Sequence, residues 1–274
     1  MITLREHEHA EIAGYIKAKY GVALDSKGSL IEGRLGLYIE SIGFETFSDY
    51  FKFALNDPTG EEITNMINRL TTNHTYFMRE NDHFEFITAQ VLPWVESLPD
   101  GRDLRIWSAG CATGEEPYGL SIYILEYFAG SDHRLTGYDT TILASDISEE
   151  VLQAAQEGVY PDESLSAIPP EWVSKYFVDL GNGFHRVKPA LRENVAFKKI
   201  NLLDPIIAKK PYHVILSRNV MIYFDPDTRA SLVKRYYDAI LPGGYLFIGH
   251  SESLTNFTHG FRYIKPSVYR KPLD

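Results

Sequence analysis

A short glycine-containing segment carries residues that could bind a small ligand. Residues 110–114 read GCATG, follow the apolar segment 104–109 and precede a helical pattern that begins with Glu115 and Glu116. Glycine permits a tight turn and a close approach of the backbone, which is how a strand-to-helix turn binds a nucleotide. The spacing is not GxGxxG, because Ala112 stands at the middle position. The segment therefore predicts a ligand-binding turn that differs from a dinucleotide turn.

The two acids indicate which ligand this turn favours. A diphosphate binds at a helix N-terminus through backbone N–H groups and the helix dipole, and Glu115 and Glu116 would repel it there. A cationic ligand without phosphates would be favoured instead, and S-adenosylmethionine carries both a sulfonium and an ammonium group. We therefore assign the turn, with Gly110 and the acids Glu115 and Glu116, to a cofactor site. The alternative is that both acids only complement the helix dipole.

Polar segments also follow three other predicted strands, where side chains face the ligand crevice of an open α/β sheet. In ASDIS, Asp146 could accept hydrogen bonds from both ribose hydroxyls of an adenosine. The alternative role, a helix N-cap, is one that Ser148 already fits. The NLLD segment, which begins at Asn201, would lie beside the adenine. In SRNVMIYFD, Arg218 lies in apolar surroundings and needs a partner or a function.

A polar cluster, TTNHTYFMRE at residues 71–80, lies between a helical part of the chain and an α/β part. Polar residues at a domain junction could form one wall of an active site. We interpret His74 as a solvent-exposed residue, and Cys111 as a small residue in a tight turn that is not an activated nucleophile. There is no HExxH, CxxC or ordered Ser-His-Asp motif, so no metal site is predicted.

The elements that would position these residues are visible as periodicities. Residues 1–70 show helical spacing only, with breaks at Gly21, Gly43 and the turn 57–60. Four stripes at helical spacing predict the core of an all-α domain: Ile12, Tyr15, Ile16 and Lys19 or Tyr20; Ile31, Leu35, Ile39 and Ile42; Phe47, Tyr50, Phe51, Ala54 and Leu55; Ile63, Met66, Ile67 and Leu70.

From about residue 85, β-rich and helical segments alternate, which implies a mostly parallel, doubly wound sheet. Strands are predicted at 104–109, 141–145, 196–200, 213–217 and 245–249, and helices at 83–96, 118–128, 149–156 and 227–241. FRYIKPSVYRK near the C-terminus could add an edge hairpin. Residues 158–195 interrupt the alternation with several prolines and two short strands around a Gly-Asn-Gly turn, which predicts a small β insertion.

Composition excludes some partners. The chain has 274 residues, a formal net charge of −10 and one cysteine. This charge argues against a surface that follows nucleic-acid phosphates and against attraction to anionic lipid. The N-terminal segment lacks an apolar signal core, and no run approaches the roughly 18 apolar residues of a membrane span. We therefore expect a cytoplasmic protein without membrane insertion.

Together these motifs resemble those of the chemotaxis receptor glutamate O-methyltransferases, the CheR family. The matching segments occur in family order over roughly residues 70–255: LTTNHTYFMRE, WSAGCATGEEPY, ASDIS, EGVY, NLLD, LSRNVMIYFD and GGYLFIGHSESL. The resemblance implies an α/β fold of the class I S-adenosylmethionine-dependent methyltransferases, with a Rossmann-like, mostly parallel sheet. A helical N-terminal domain at 1–70 would precede the methyltransferase domain at 71–274, and 158–195 would form an inserted β-subdomain.

The resemblance also implies a reaction, a cofactor and a set of site residues. The methyl group of S-adenosylmethionine would be transferred to glutamate side chains of methyl-accepting chemotaxis receptors, which leaves S-adenosylhomocysteine. Arg79 and Tyr223 would lie near the transferred methyl group and position the substrate carboxylate. Glu115 would meet the methionine ammonium and Asp146 the ribose. The remaining residues implied to contact the cofactor are Asn73, Thr75, Asn201, Leu202, Arg218 and Asn219, and Arg79 is included in the same set.

The match departs from the family at three places. Met78 and Gly119 replace a frequent Phe and Ser, which is tolerable, and the helical segment SKGSLIEGRLGLYIES carries few basic residues. In the family this helix is often rich in arginine and docks acidic receptor helices, so we expect docking through that face to be weak here. The β insertion could instead bind a receptor C-terminal tail by strand addition. We expect the enzyme to be a monomer.

Three other functions remain open from the sequence. Another small-molecule or protein methyltransferase could use the same pocket. An adaptor of a chemosensory array could bind S-adenosylmethionine without turnover, although the intact polar motifs argue against it. A dehydrogenase is disfavoured by the acids in the glycine turn and by the missing middle glycine.

Overall fold

The computed structural model describes residues 2–71, 74–99, 103–130, 139–255 and 257–273. The chain divides into two compact units, one formed by Met1–Asn73 with Tyr223–Arg229 and the other by His74–Ile222 with Ala230–Asp274. Among the described residues, no helix is both long enough and apolar enough to cross a membrane.

The first unit contains four helices in its N-terminal part: α1 (Glu6–Tyr20), α2 (Gly28–Ser41), α3 (Phe47–Asn56) and α4 (Glu61–Leu70). They are separated where the sequence predicts. Gly21, Gly43 and Gly60 have positive φ angles of 74°, 91° and 70°, a conformation that glycine adopts without the steric cost of a Cβ atom. Most of the predicted apolar stripes are buried and form the core of this unit.

Two residues of those stripes were wrongly predicted to be core. Ile42 and Leu55 are 40% and 43% exposed. Ile42 lies just beyond the end of α2, so the helical spacing no longer applies to it. Leu55 follows the buried Ala54, and the helical rotation between adjacent residues turns its side chain away from the core.

The second unit is built on a seven-stranded sheet in the order β6-β2-β1-β7-β8-β10-β9. Its strands are β1 (Ile106–Ala109), β2 (Ile142–Asp146), β6 (Val195–Lys199), β7 (Tyr212–Ser217), β8 (Ile240–Ile248), β9 (Arg262–Lys265) and β10 (Val268–Arg270). The first five pair in parallel, whereas β10 pairs antiparallel with β8 and β9. The mostly parallel sheet and the C-terminal edge hairpin are therefore confirmed.

Helices alternate with these strands as the periodicity predicts. They are α5 (Asp82–Phe86), α6 (Leu92–Glu96), α7 (Glu115–Ala129), α8 (Glu149–Glu157) and α11 (Pro226–Ala239). A π-helical turn at Ile87–Val91 joins α5 to α6, a local widening that the apolar spacing did not reveal. One apolar core contains Phe84, Val91, Leu120 and Ile124 together with residues of the central strands.

The inserted segment forms a separate antiparallel sheet in the order β3-β5-β4, from Val159–Pro161, Phe184–Val187 and Phe177–Gly181. Two of these strands were predicted. The third, β3, was missed because it has only three residues and includes Pro161. Short helices α9 (Pro170–Tyr176) and α10 (Pro189–Arg192) flank the sheet. Tyr160, Phe177 and Val187 pack in one apolar cluster with Tyr118 and Leu152, so the insertion is anchored beside α7 and α8.

Candidate active site

The glycine turn lies between β1 and α7 and is held against the end of β2. The N–H groups of Gly110 and Cys111 both donate to the Ser145 carbonyl, at 2.8 and 2.9 Å. Gly110 and Gly114 have φ angles of 92° and 95°. A Cβ atom on Gly110 would lie 2.3 Å from Val220 Cγ2. Glycine is therefore required at Gly110 by the chain's own packing as well as by its backbone conformation.

The two acids after this turn have different surroundings. Glu116 accepts a hydrogen bond from the Ser108 hydroxyl at 2.7 Å and pairs with Arg218 Nη1 at 3.0 Å, so its charge is compensated. Glu115 is 6% exposed and accepts a hydrogen bond from the Thr113 hydroxyl at 2.7 Å. Within the described parts of the chain, no salt bridge involves Glu115.

The electrostatics of Glu115 follow from that environment. Burial raises the pKa of the Glu115 carboxyl above its ordinary value, although the Thr113 hydroxyl, a backbone N–H and the His74 imidazole lower it. A buried carboxylate is costly unless a cation or several donors accompany it. From the sequence, both acids were expected to select a cation. Of these two acids, Glu116 is paired with Arg218, and Glu115 has no salt-bridge partner among the described residues.

Asp146 at the end of β2 faces the same turn. Its Oδ2 accepts a hydrogen bond from the Ala112 N–H at 3.0 Å, and its Oδ1 accepts one from the Ser148 N–H at 3.1 Å. Ser148 caps α8 as predicted, since its hydroxyl accepts from the Val151 N–H at 3.2 Å. Burial raises the pKa of Asp146. A carboxylate has about four acceptor sites, so the bonds from these backbone N–H groups leave capacity for a ribose hydroxyl.

The strand order brings four of the predicted segments to one edge of the sheet. Gly110, Asp146, Asn201 and Arg218 stand at or just after the carboxyl ends of β1, β2, β6 and β7, which are consecutive neighbours in the sheet. Asn201 Oδ1 accepts from the Leu203 N–H at 3.0 Å and so shapes its own loop. Leu202 is half-buried. This edge is where open α/β sheets bind ligands.

Arg218 has the partners that its burial requires. Its side chain is 2% exposed, and its Nε lies 3.2 Å from Glu80 Oε2 while Nη1 pairs with Glu116. Its Nη2 donates to the Arg79 carbonyl. Neither acid was predicted as a partner, because Glu80 and Arg218 are 138 positions apart in the chain. These contacts are all with protein groups, and cofactor contact by Arg218 stays a prediction.

Glu80, His83 and His250 place ligand atoms within 4.8 Å of one another, a geometry that a metal ion could use. The Arg218 guanidinium already supplies a positive charge to Glu80, whose Oε1 accepts from the His250 N–H at 3.1 Å. His83 is fully buried, and neither ring nitrogen has a hydrogen-bond partner among the described residues. Burial and the Arg218 charge lower the pKa of His83 to about 4. We therefore assign a neutral imidazole to His83.

The remaining predicted site residues occupy varied positions. Asn73 lies outside the described residues. Thr75 is half-buried, and His74 beside it is exposed as predicted. Arg79 Nη1 donates to the His74 carbonyl at 3.2 Å. The Tyr223 carbonyl accepts from the Ala23 N–H at 2.7 Å within the first unit.

Asn219 has an unusual backbone, and its main partner was not among the predicted site residues. Its φ angle is 60°, and its N–H donates to Glu252 Oε2 at 2.9 Å. Glu252 belongs to the segment GGYLFIGHSESL, so the only available signal was a glutamate following a strand end. Sequence spacing alone does not reveal that its carboxylate turns back onto the loop after β7.

A mostly parallel sheet with a glycine turn after β1, a carboxylate ending β2 and a buried acid opening α7 defines a class I S-adenosylmethionine-dependent methyltransferase fold. The family model described as "CheR methyltransferase, SAM binding domain" matches residues 73–270. The model described as "CheR methyltransferase, all-alpha domain" matches residues 7–71. The chain therefore belongs to the CheR methyltransferase family, and its cofactor is S-adenosylmethionine.

Curated relatives cover nearly the whole chain. A "Chemotaxis protein methyltransferase" of Borreliella burgdorferi is 35% identical over 275 residues, covering 98% of this chain and 96% of the relative. "Chemotaxis protein methyltransferase 2" of Vibrio cholerae is 33% identical and covers 99% and 95%. "Chemotaxis protein methyltransferase 2" of Pseudomonas aeruginosa is 36% identical and covers 91% and 87%.

Proposed function

We propose that this protein transfers the methyl group of S-adenosylmethionine to glutamate side-chain carboxylates of methyl-accepting chemotaxis receptors, in chemosensory adaptation. The family match over both parts of the chain supports the reaction. The observation that carries the cofactor assignment is the buried Glu115 carboxylate, which has no salt-bridge partner among the described residues. A receptor's cytoplasmic domain as substrate requires the enzyme to be in the cytoplasm.

The residues along the sheet edge fit the cofactor. S-adenosylmethionine supplies an electrophilic methyl group on a sulfonium. In this proposal Glu115 binds the ammonium, and Asp146 accepts hydrogen bonds from the ribose hydroxyls. Gly110 lines the turn beneath them, Asn201 and Leu202 flank the adenine, and the set is completed by Asn73, Thr75, Arg79, Arg218 and Asn219.

The chemistry needs alignment and no general base. A glutamate side chain has an ordinary pKa of about 4.3, so it is already a nucleophile at neutral pH. Its oxygen forms the new bond to the methyl carbon while the carbon–sulfur bond breaks, and the bonding pair leaves on sulfur. Arg79 and Tyr223 position the substrate carboxylate in this proposal. Well-aligned pairs gain on the order of 7–11 kcal/mol from positioning.

The alignment role of Tyr223 is testable without a structure of the complex. If Tyr223 only aligns the carboxylate, Tyr223→Phe should lower the rate at every pH and leave the shape of the pH–rate profile unchanged. A change in the shape of the pH–rate profile in that variant would refute the idea, because it would indicate that the hydroxyl transfers a proton.

Two features bear on how the receptor is bound. The single basic residue within α2 is Arg34, and its Nη1 donates to the Leu70 and Thr71 carbonyls at 2.9 and 3.0 Å. Docking of acidic receptor helices by basic residues of α2 is therefore disfavoured. β4 is an edge strand of the inserted sheet, and Val178 and Leu180 on it are 44% and 42% exposed.

An edge strand with exposed apolar residues favours capture of an extended receptor C-terminal tail by strand addition. A pull-down with a tail peptide tests this mode, and no signal at high micromolar peptide would count against it. We expect a monomeric enzyme, which sedimentation can check.

The decisive experiment is transfer of labelled methyl groups to receptor cytoplasmic fragments. Receptor methyl esters should release methanol in base, and fragments whose acceptor glutamates are replaced by glutamine should take up no label. Label that resists base, or label on a small molecule only, would indicate another methyltransferase. Calorimetric binding of S-adenosylmethionine without any transfer would indicate an adaptor.

A further inference from the structure

The loop after β7 carries backbone N–H groups that need a common acceptor. It runs from Arg218 through Asn219 into a short 3₁₀ turn at Met221–Tyr223. Asn219 adopts the left-handed region with φ of 60°, which costs free energy for a residue with a Cβ atom. Such a conformation persists only where surrounding contacts hold it in place.

The Glu252 carboxylate provides those contacts. Its Oε2 accepts from the Gly249 N–H at 2.6 Å and from the Asn219 N–H at 2.9 Å. Its Oε1 accepts from the Ile222 N–H at 3.2 Å, and the Met221 N–H is a fourth donor. All four partners are donors, so an ionised carboxylate satisfies them and an amide could not satisfy all of them.

The backbone at Gly249, which follows the neighbouring strand β8, closely approaches Asn219. A Cβ atom on Gly249, just after β8, would lie 2.4 Å from Asn219 Nδ2 and 2.8 Å from its backbone nitrogen. The loop therefore rests directly on the Gly249 backbone while Glu252 binds its N–H groups. Asn219 Nδ2 also lies 3.5 Å from Glu80 Oε1, so the side chain has a defined direction.

We propose that Glu252 is a positioning residue for methyl transfer, which sets the backbone from Asn219 to Ile222 without touching cofactor or substrate. The consequence for catalysis rests on the proposed function, because Asn219 is assigned to the cofactor and Ile222 directly precedes Tyr223. A shift of about 1 Å in positioning groups can cost roughly 100-fold in rate. The backbone arrangement itself is independent of any substrate.

The test compares Glu252→Gln, Glu252→Asp and the control Glu193→Gln, which changes an exposed glutamate of the same chain. Hydrogen exchange of the Asn219, Met221 and Ile222 amides is measured without substrate. Transfer rate to a receptor fragment and the Kd for S-adenosylmethionine are measured in parallel. We expect at least tenfold faster exchange at these amides in Glu252→Gln, with unchanged exchange in the central strands.

For catalysis, we expect Glu252→Gln to lower kcat by about 10- to 100-fold, with a smaller change in the Kd for S-adenosylmethionine. Glu252→Asp keeps the charge and should restore part of both the exchange protection and the rate. Unchanged exchange at the three amides in Glu252→Gln would overturn the proposal, as would an equal loss in the Asp variant. If Glu252→Gln does not fold, the Glu252→Asp variant still tests the proposal. Its amides in the loop from Asn219 to Ile222 should exchange faster than in the wild type, and its other amides should exchange at the wild-type rate. Absence of methyl transfer by the wild type would refute the proposed function. The hydrogen-exchange rates would then still test whether Glu252 holds the backbone from Asn219 to Ile222.

Discussion

Glu115 and Glu116 are adjacent, yet their replacement by glutamine should affect different properties, cofactor affinity in one case and stability of the fold in the other. Among the described residues, the buried Glu115 has only the Thr113 hydroxyl as a side-chain donor, whereas Glu116 binds Ser108 and the buried Arg218. Glu115→Gln should therefore weaken S-adenosylmethionine binding and leave folding intact. Glu116→Gln should destabilise the fold.

The magnitudes follow from these contacts. A hydrogen bond to a charged group contributes about 1.5–3 kcal/mol, so loss of the Glu115 contact to the ligand ammonium should raise the Kd roughly 10- to 150-fold. Burial raises the pKa of Glu115, which means that its charge is unfavourable in the protein without ligand. Glu115→Gln should thus leave the free energy of unfolding unchanged or raise it. Glu116→Gln leaves Arg218 with Glu80 as its one carboxylate partner among the described residues, and should lower the free energy of unfolding by about 1.5–3 kcal/mol.

Calorimetric titration with S-adenosylmethionine and urea unfolding distinguish the two variants. Comparison with S-adenosylhomocysteine is informative, because it retains the ammonium and should lose affinity by the same factor in Glu115→Gln. An unaltered Kd in Glu115→Gln would refute the assignment of this carboxylate to the ammonium. An unfolding free energy that stays the same in Glu116→Gln would refute the account of Arg218.

Further predictions concern the glycine turn, the buried His83 and the Asp146 carboxylate. Gly110→Ala should lower the free energy of unfolding by more than about 2 kcal/mol, because the new side chain would combine a positive φ with a clash. Gly14→Ala, at a mid-helix position of α1 with open space around it, should raise the free energy of unfolding by about 0.5–1 kcal/mol. Equal effects of the two substitutions in urea unfolding would contradict this account. His83 has a pKa lowered to about 4, so the unfolded chain binds the proton first as the pH falls below about 6.5. Stability should decrease by about 2 kcal/mol between pH 7 and pH 5 for this reason, and His83→Gln should show a shallower decrease; identical slopes would count against a neutral buried imidazole. The single carbonyl oxygen in Asp146→Asn cannot accept from both the Ala112 and the Ser148 N–H groups, so the variant should lose about 1–2 kcal/mol of stability. It should also bind S-adenosylmethionine more weakly, and calorimetry with an unaltered Kd would remove Asp146 from the site.

Local patterns were sufficient for much of the fold. The order of strands and helices from about residue 104 onward follows from periodicity, because buried strands and amphipathic helices each impose a spacing on apolar residues. The Ser148 cap, the glycine helix ends and the C-terminal hairpin depend on neighbours within a few residues, and the structure confirms them. The position of the polar segments at strand ends was likewise local information.

The sequence by itself thus determined the order of the main strands and helices, the family and the place of the glycine turn. Only the tertiary structure decided which of the two acids is paired with an arginine. Glu116 is neutralised by Arg218, 102 positions away, and Glu252 binds Asn219 across 33 positions. Such pairings depend on which strand ends become neighbours when the sheet assembles, and no local periodicity encodes that distance. The exposure of Ile42 and Leu55 has the same origin, since burial depends on what the rest of the chain places against a helix.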